Sequence, residues 1–128
     1  MDINKNYVQI SKALQQDREK LIAAFDDFPV IEFMRRHSRI LDTYFQQRFE
    51  ESLVGPRLGL NKNPYAIVAL GGYGREEQCV HSDVDILFLF KKHIPDEAVN
   101  LIQEIIYPLW DIGLEVGYAT RTLKECID

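Results

Sequence analysis

The chain has little cysteine, no long hydrophobic run and no excess of basic residues. Its 128 residues include two cysteines, Cys79 and Cys126, which are too few and too isolated for a disulfide framework or a zinc site. No apolar run approaches the ~18 residues of a membrane span, and the amino terminus lacks the pattern of a signal peptide. We therefore expect a cytoplasmic protein with reduced thiols and no membrane partner.

The charge balance is mildly acidic. Fifteen Lys and Arg residues stand against 20 Asp and Glu residues, which gives a formal net charge of -5 without a run of like charges. Non-specific binding to nucleic acid requires a basic surface, so this composition argues against a nucleic-acid partner. Hydrophobic residues make up 46% and charged residues 27%, as in ordinary globular proteins. The length and composition predict a folded globular unit.

The first half of the chain has the apolar periodicity of helices. An imperfect stripe runs from about Asn4 to Phe25, and carboxylates with a proline interrupt it at residues 26–29. From Pro29 to Leu53, apolar residues recur at three- and four-residue steps, which indicates a long amphipathic helix. Loops are expected at residues 55–56 and 59–64. We therefore predict an amino-terminal helical region over residues 1–60.

The second half alternates between short apolar runs and helical patterns. Three runs predict strands, two of them buried and the third with one apolar face. A short helix is expected at residues 74–79 and a longer one at about residues 96–112, which Pro108 should kink or shorten. The fold class is therefore α+β, a small mixed sheet with packed helices over residues 61–128, preceded by the helical layer. The predicted strands are Tyr65–Leu70, Val84–Phe90 and residues 114–120.

A glycine-rich turn follows the first predicted strand. Gly71 and Gly72 lead from that strand towards the short helix, and the first N–H groups of a helix attract anions such as phosphates. A β-branched side chain at Gly72 would resist positive φ and fill the space that a phosphate needs. Arg75, placed near the expected helix start, would add positive charge. A tight turn and a solvated surface arginine explain the same residues without a ligand.

Two aspartates stand at the head of the second predicted strand. Asp83 and Asp85 are separated by one residue, so their side chains point to the same side of the strand. Convergent carboxylates of this kind can hold two divalent metal ions about 3.5–4 Å apart. The alternative is a frayed strand end exposed to solvent. The apolar residues 86–90 argue against it, because a central strand headed by two like charges favours a cation.

A third carboxylate is expected to complete the site. On the third strand, Glu115 shares a face with Gly117 and Ala119, whose small side chains leave room for a ligand. A plain surface glutamate on an edge strand is the alternative interpretation. His81, beside Ser82, lies near enough in sequence to contact a phosphate, but a loop histidine without a role is the favoured interpretation.

These motifs resemble the nucleotidyltransferase superfamily that includes DNA polymerase β, in which a Gly-Gly or Gly-Ser turn precedes an Asp-x-Asp pair. Residues 69–75 (ALGGYGR) with residues 82–87 (SDVDIL) are similar to the amino-terminal domain of PII uridylyltransferases, as are residues 107–117 and 121–123. Residues 76–78 (EEQ) depart from that family. They are closer to the bacterial nucleotidyltransferases that accompany cyclic-nucleotide-binding and CBS regulatory domains.

The resemblance implies transfer of a nucleoside monophosphate, UMP or AMP, from a nucleoside triphosphate to an acceptor hydroxyl, with release of pyrophosphate. Asp83 and Asp85 would hold Mg²⁺ or Mn²⁺, with Glu115 as a further catalytic carboxylate. Gly71 and Gly72, with Ser82, would bind the β- and γ-phosphates. The acceptor would be a PII-like signalling protein, modified on a tyrosine, which makes signal transduction in a bacterium the expected setting.

Two other function classes stay open at this stage. One is a non-catalytic nucleotide-binding regulatory module, although a sensor has less need of two metal-binding aspartates. The other is a helical scaffold that binds a partner through the apolar stripe of residues 29–53, which would require that stripe to be exposed. Thr122 and Glu125 form the capping box of a further helix, so we expect the chain to be a fragment of a longer protein.

Overall fold

Two long helices form the first half of the structure. This computed structural model describes residues 3–56 and 63–127, with side chains from residue 9 onwards. Helix α1 spans Ile3–Ala23 and helix α2 spans Val30–Glu50, joined through a 3₁₀ turn at Phe25–Asp27. Pro29 directly precedes α2, where its fixed φ and missing N–H do not disturb a helix. Residues 59–62 of the loop predicted at residues 59–64 lie outside the described residues.

The second half folds into a three-stranded sheet with the order β1-β2-β3. Strand β2 is central, antiparallel to β1 and parallel to β3. Helix α4 makes the crossover between the parallel strands, while short helices α3 and α5 follow β1 and β3. The bounds are β1 Tyr65–Leu70, α3 Gly71–Gly74, β2 Val84–Phe90, α4 Ala98–Asp111, β3 Val116–Thr122 and α5 Leu123–Ile127. The predicted α+β class, with its mixed sheet and helical layer, is therefore confirmed.

One face of the sheet is buried against the helices. Alternate side chains of β2 point to this face, and each buried side chain of their size contributes about 1.5–3 kcal/mol of stability. The Tyr44 hydroxyl donates to the Ile105 carbonyl at 2.6 Å, which ties α2 to α4. Asp85 and Leu87 lie on the opposite, more open face of β2. The core includes Ile10, Leu14, Leu41, Tyr44, Phe45, Val84, Ile86, Phe88, Phe90, Leu101, Ile105, Ile106 and Leu109.

The prediction of a short helix at residues 74–79 is wrong, because the short helix after β1 lies at Gly71–Gly74. Gly71 adopts φ +56 and turns the chain at once from strand to helix. Glu76 adopts φ 59, a left-handed conformation that a right-handed helix cannot contain. The residues between there and β2 form turns and a bend.

Two other boundaries differ from their predictions. Helix α4 continues through Pro108 to Asp111, because its buried residues lie on both sides of the proline and hold the helix to the sheet. Strand β3 begins at Val116 rather than at Leu114. The Leu114 N–H still donates to the Leu109 carbonyl, so this residue belongs to the end of α4.

The capping box at the end of β3 is confirmed. The Glu125 N–H donates to Thr122 Oγ1 at 3.3 Å, and the Thr122 N–H donates to Glu125 Oε1 at 3.0 Å. Hydrogen bonds from the Thr122 backbone and hydroxyl lower the pKa of Glu125. This reciprocal pair opens α5 in the manner its sequence predicts.

The long stripe of α2 packs inside the protein over most of its length. Phe33, Leu41 and Phe45 are buried, whereas Phe49 and Leu53 near its end are about half exposed. The scaffold hypothesis required this stripe to be exposed, so the packing disfavours it.

Candidate active site

The parallel pair of strands brings the predicted carboxylates to one edge of the sheet. Asp83 directly precedes β2 and Glu115 directly precedes β3, so both lie at the same strand ends. The Val84 N–H donates to the Glu115 carbonyl at 2.9 Å and fixes this alignment. Asp85 pairs with Gly117 one step further along. Glu115 is therefore brought close to two aspartates from which it is distant in sequence.

Asp85 lies between two glycines. A Cβ on Gly71 would come within 3.2 Å of Asp85 Oδ2, and a Cβ on Gly117 would come within 3.1 Å of Asp85 Oδ1. Both distances are tighter than ordinary carbon–oxygen contacts. Gly71 is further restricted by its φ of +56, which only glycine adopts readily. The two glycines therefore give the Asp85 carboxylate the room that it occupies.

The side chains of Asp83 and Glu115 interact with each other. A hydrogen bond from Glu115 to Asp83, together with their like charges, raises the pKa of Glu115. Both side chains are exposed. Two exposed carboxylates whose like charges repel each other favour the binding of a cation between them.

The residues that could hold a metal ion are therefore Asp83, Asp85 and Glu115. Their oxygen atoms suit Mg²⁺ and Mn²⁺, which prefer hard ligands. Within residues 3–56 and 63–127, no three His, Cys, Asp or Glu side chains are already arranged to hold a metal. The chemistry of these oxygen donors fits a divalent cation.

The glycine turn leads from strand to helix as predicted, but the positions at which only glycine fits are Gly71 and Gly74 rather than Gly72. Positive φ occurs at Gly71 and not at Gly72. A Cβ on Gly72 would lie 3.6 Å from the Glu77 carbonyl, an ordinary contact. A Cβ on Gly74 would lie 2.8 Å from the Ala69 carbonyl oxygen, which is a clash with backbone. The expectation that Gly72 needs positive φ is therefore wrong.

Tyr73, the one large side chain of α3, anchors the glycine turn to the helical layer. Its side chain is buried, and its hydroxyl donates to Asp42 Oδ1 of α2 at 2.6 Å. Burial, followed by the hydrogen bond and the charge of Asp42, raises the pKa of Tyr73. The turn is thereby held against α2 while its glycines face Asp85.

Arg75 lies at the end of α3 and not at its start. Its Nε is 3.5 Å from Glu77 Oε2, and both side chains are more than half exposed. Ser82 and His81 line a cavity of about 350 Å³ together with Arg18 and Glu115, and Arg75 is not among its lining residues.

Sequence reasoning missed a buried polar group beneath the carboxylates. Gln78 and His37 are almost completely buried, and the His37 Nδ1 lies 3.0 Å from the Gln78 carbonyl. Arg18 Nε donates to His37 Nε2 at 3.0 Å. The only available signal was the spacing of His37 from Phe33 and Leu41, which places it on the buried stripe of α2. Gln78 carried no signal.

The glycine turn after β1, the aspartates at the start of β2 and the acid directly before β3 have the arrangement by which the sequence resembles nucleotidyltransferases. The profile of the family described as "Putative nucleotidyltransferase DUF294" matches residues 16–121. The chain belongs to this family. The match covers α1 from Gln16 onwards as well as the carboxylate edge of the sheet.

Curated relatives share the name bifunctional uridylyltransferase/uridylyl-removing enzyme. The protein from Cereibacter sphaeroides is 48% identical over 62 residues, or 48% of this chain and 7% of the relative. The proteins from Pseudomonas putida and Chromobacterium violaceum are 35% identical over 118 residues and 36% identical over 117 residues. Each of these two alignments covers 91% of this chain and 13% of the relative. The chain thus spans a small part of the length of these proteins.

No solved structure matches the chain. In the part of the chain that the structure describes, no helix is both long and apolar enough to cross a membrane.

Proposed function

We propose that this chain is a metal-dependent nucleotidyltransferase domain that transfers UMP or AMP from a nucleoside triphosphate to an acceptor hydroxyl. The observation that carries the proposal is the meeting of Asp83, Asp85 and Glu115 beside a glycine turn. The family match supports this reaction class. The names of the curated relatives favour UMP.

Each carboxylate has a distinct part in this proposal. Asp83 and Asp85 would hold Mg²⁺ or Mn²⁺, which would neutralise the triphosphate and lower the pKa of the acceptor hydroxyl. Glu115, which lies beside Asp83 and would be ionised when the metal is bound, would receive the proton of that hydroxyl. The acceptor oxygen then bonds to the α-phosphorus, the bond to the β-phosphate oxygen breaks, and pyrophosphate leaves.

The phosphate contacts are assigned to the turn and the loop around it. Gly71 and Gly72 begin α3 and present backbone N–H groups beside Asp85, which supports a role for them with the β- and γ-phosphates. Ser82 and Arg75 complete the proposed set of phosphate contacts. The acceptor is proposed to be a PII-like signalling protein modified on a tyrosine, in the cytoplasm of a bacterium.

The test is calorimetric titration of Mg²⁺ with UTP or ATP into the wild-type chain and an Asp83→Asn, Asp85→Asn double variant. We expect the double variant to lose metal–nucleotide binding, because two charged ligands are removed. Asp26→Asn with Asp27→Asn is the matched control, since it removes the same charge from an exposed turn outside the sheet.

Equal affinity in the wild type and in the Asp83, Asp85 double variant would contradict the proposal. Pyrophosphate release with candidate acceptor proteins then separates transfer from binding alone. Tight nucleotide binding without transfer to any acceptor would favour the regulatory-module alternative.

A further inference from the structure

Gln78 holds the segment that presents Asp83. Its side chain is 1% exposed, and its amide Nε2 lies 2.8 Å from the Ser82 carbonyl oxygen and 3.2 Å from that of Asp83. The Cys79 carbonyl lies at 3.3 Å. One amide group therefore faces three carbonyls of the segment between α3 and β2, and two of them belong to the residues at the carboxylate site.

The backbone of Gln78 is itself fixed by the helical layer. The Gln78 N–H donates to Ser38 Oγ at 3.3 Å, and its carbonyl accepts from His37 Nδ1 at 3.0 Å. The direction of the second bond follows from Arg18, whose Nε can only donate to His37 Nε2. That nitrogen is therefore unprotonated, and Nδ1 carries the proton of a neutral ring.

The same arginine reaches the next part of the segment. Arg18 Nη2 lies 3.4 Å from the Val80 carbonyl, so α1 and α2 both contact the chain that leads into β2. These contacts join residues 40 to 62 positions apart in sequence. The segment therefore takes its shape from the helical layer and from Gln78 rather than from local structure.

We propose that Gln78 is a positioning residue, which sets the place of Asp83 for metal binding by anchoring the carbonyls of Ser82 and Asp83. The inference rests on the proposed function. Asp83 is exposed and lies beside another carboxylate, so repulsion favours its displacement whenever both are charged. The Val84–Glu115 hydrogen bond holds the strand start from one side, and Gln78 holds it from the other.

A second observation agrees with a dedicated role for the amide. Gln78 Oε1 is buried and has no hydrogen-bond partner among residues 3–56 and 63–127. Burying an unpaired acceptor is unfavourable, so an apolar residue would fill this space at a lower free energy. What an apolar residue cannot supply is the pair of N–H donors aimed at the Asp83 segment.

The test compares Gln78→Met with wild type at a temperature well below unfolding. Methionine keeps the approximate volume and removes both donors. Mn²⁺ affinity, measured by electron paramagnetic resonance, should fall about tenfold, because groups that orient metal ligands contribute 10–100-fold. In the transfer reaction kcat should fall by a similar factor, while KM for the triphosphate changes little.

The matched control is Tyr44→Phe. It removes an equally buried hydrogen bond, from Tyr44 to the Ile105 carbonyl, that has no contact with the segment before β2. This variant should lose stability and keep the Mn²⁺ affinity of the wild type. If Gln78→Met behaves in the same way, Gln78 is a structural residue and the inference is overturned.

Two further measurements keep the outcome clear. Ser38→Ala leaves the Gln78 amide in place and removes one support of its backbone, so it should show a weaker form of the same effect if Gln78→Met fails to fold. Hydrogen exchange of residues 79–85 judges the positioning role even if Asp83 and Asp85 prove not to bind metal. Faster exchange in Gln78→Met supports the inference, and unchanged exchange overturns it.

Discussion

Asp85 and Gly117 face each other across β2 and β3, and a Cβ on Gly117 would lie 3.1 Å from Asp85 Oδ1. The glycine therefore determines where this carboxylate can stand. With Gly71 at a similar distance on the other side, Asp85 has little freedom to move away from an added atom.

Gly117→Ala should therefore keep the fold and weaken metal binding. The added methyl group displaces Asp85 by a few tenths of an ångström, and we expect Mn²⁺ affinity to fall about tenfold. Circular dichroism and a metal titration check the two parts separately. Ala119→Ser is the control, since it adds an atom on the same face of β3 one step further from the strand start. Equal Mn²⁺ affinity in all three proteins would show that Asp85 tolerates the contact.

Gly74→Ala should destabilise the protein, whereas Gly72→Ala should not. The Cβ at Gly74 meets the Ala69 carbonyl oxygen at 2.8 Å, and overpacking of this kind costs about 1–3 kcal/mol. At Gly72 the nearest atom is 3.6 Å away, so the change should stay within about 1 kcal/mol. Urea unfolding of both variants measures the difference. A similar loss at both positions would contradict the geometry of the turn.

Tyr73→Phe should lower the free energy of unfolding by about 1.5–3 kcal/mol, the usual contribution of a hydrogen bond to a charged group. The variant removes the donor to Asp42 Oδ1 and leaves the ring in place. Tyr107→Phe removes a hydroxyl from an exposed ring and should have little effect. Equal stabilities of the two variants would mean that the tie between α3 and α2 is weak.

Glu115→Gln should raise the thermal stability of the metal-free protein, because it removes the like charge beside Asp83 that raises the pKa of Glu115. The same change should reduce the stabilisation that Mg²⁺ or Mn²⁺ confers. Thermal denaturation with and without metal measures both effects. Glu51→Gln, at the exposed end of α2, controls for the loss of one negative charge. An unchanged response to metal would remove Glu115 from the site.

His37 should make the protein less stable in mild acid. Burial, with a smaller contribution from the charge of Arg18, lowers the pKa of His37, although the hydrogen bond to Gln78 opposes this shift. Below about pH 6.5, His37 is therefore protonated in the unfolded chain while it stays neutral in the folded chain. The contribution of His37 to the free energy of unfolding is fully present above that pH. It declines as the pH falls towards the lowered pKa of His37 in the folded state.

The measurement is urea unfolding at about pH 7.5 and about pH 5.5. His37→Gln can still accept from Arg18 and donate to the Gln78 carbonyl, so its stability should depend less on pH between these values. His93→Gln, on an exposed histidine, should keep the wild-type dependence. If His37→Gln declines as steeply as wild type, other groups account for the acid sensitivity.

Local patterns were sufficient to predict much of the sheet. Strands β1 and β2 have the predicted bounds, because an apolar run between breaking residues has few other solutions. The placement of Glu115 and Gly117 on one face also followed from alternation alone, and both are exposed on either side of the buried Val116. Their roles at the site stay predictions.

The errors arise where distant contacts decide the structure. A short helix was expected after Gly74, but the backbone of Gly71 and Glu76 places it before that residue. Pro108 was expected to kink or shorten α4, and the helix is not shortened there but continues to Asp111, with buried residues on both sides of the proline. The contacts of Gln78 with α2 span about 40 positions, and no local pattern encodes them.

The length of the connection from α4 to β3 determines which residues of β3 face the carboxylate site. Trp110 Nε1 donates to the Val116 carbonyl at 3.2 Å, and the Leu114 N–H donates to the Leu109 carbonyl. These two hydrogen bonds fix the path of the chain between the helix and the strand. One residue inserted there would slide β3 by one position and turn every side chain to the other face. Glu115 would then point into the core. The number of residues between Trp110 and Val116 therefore has to stay constant for Glu115 to lie beside the two aspartates.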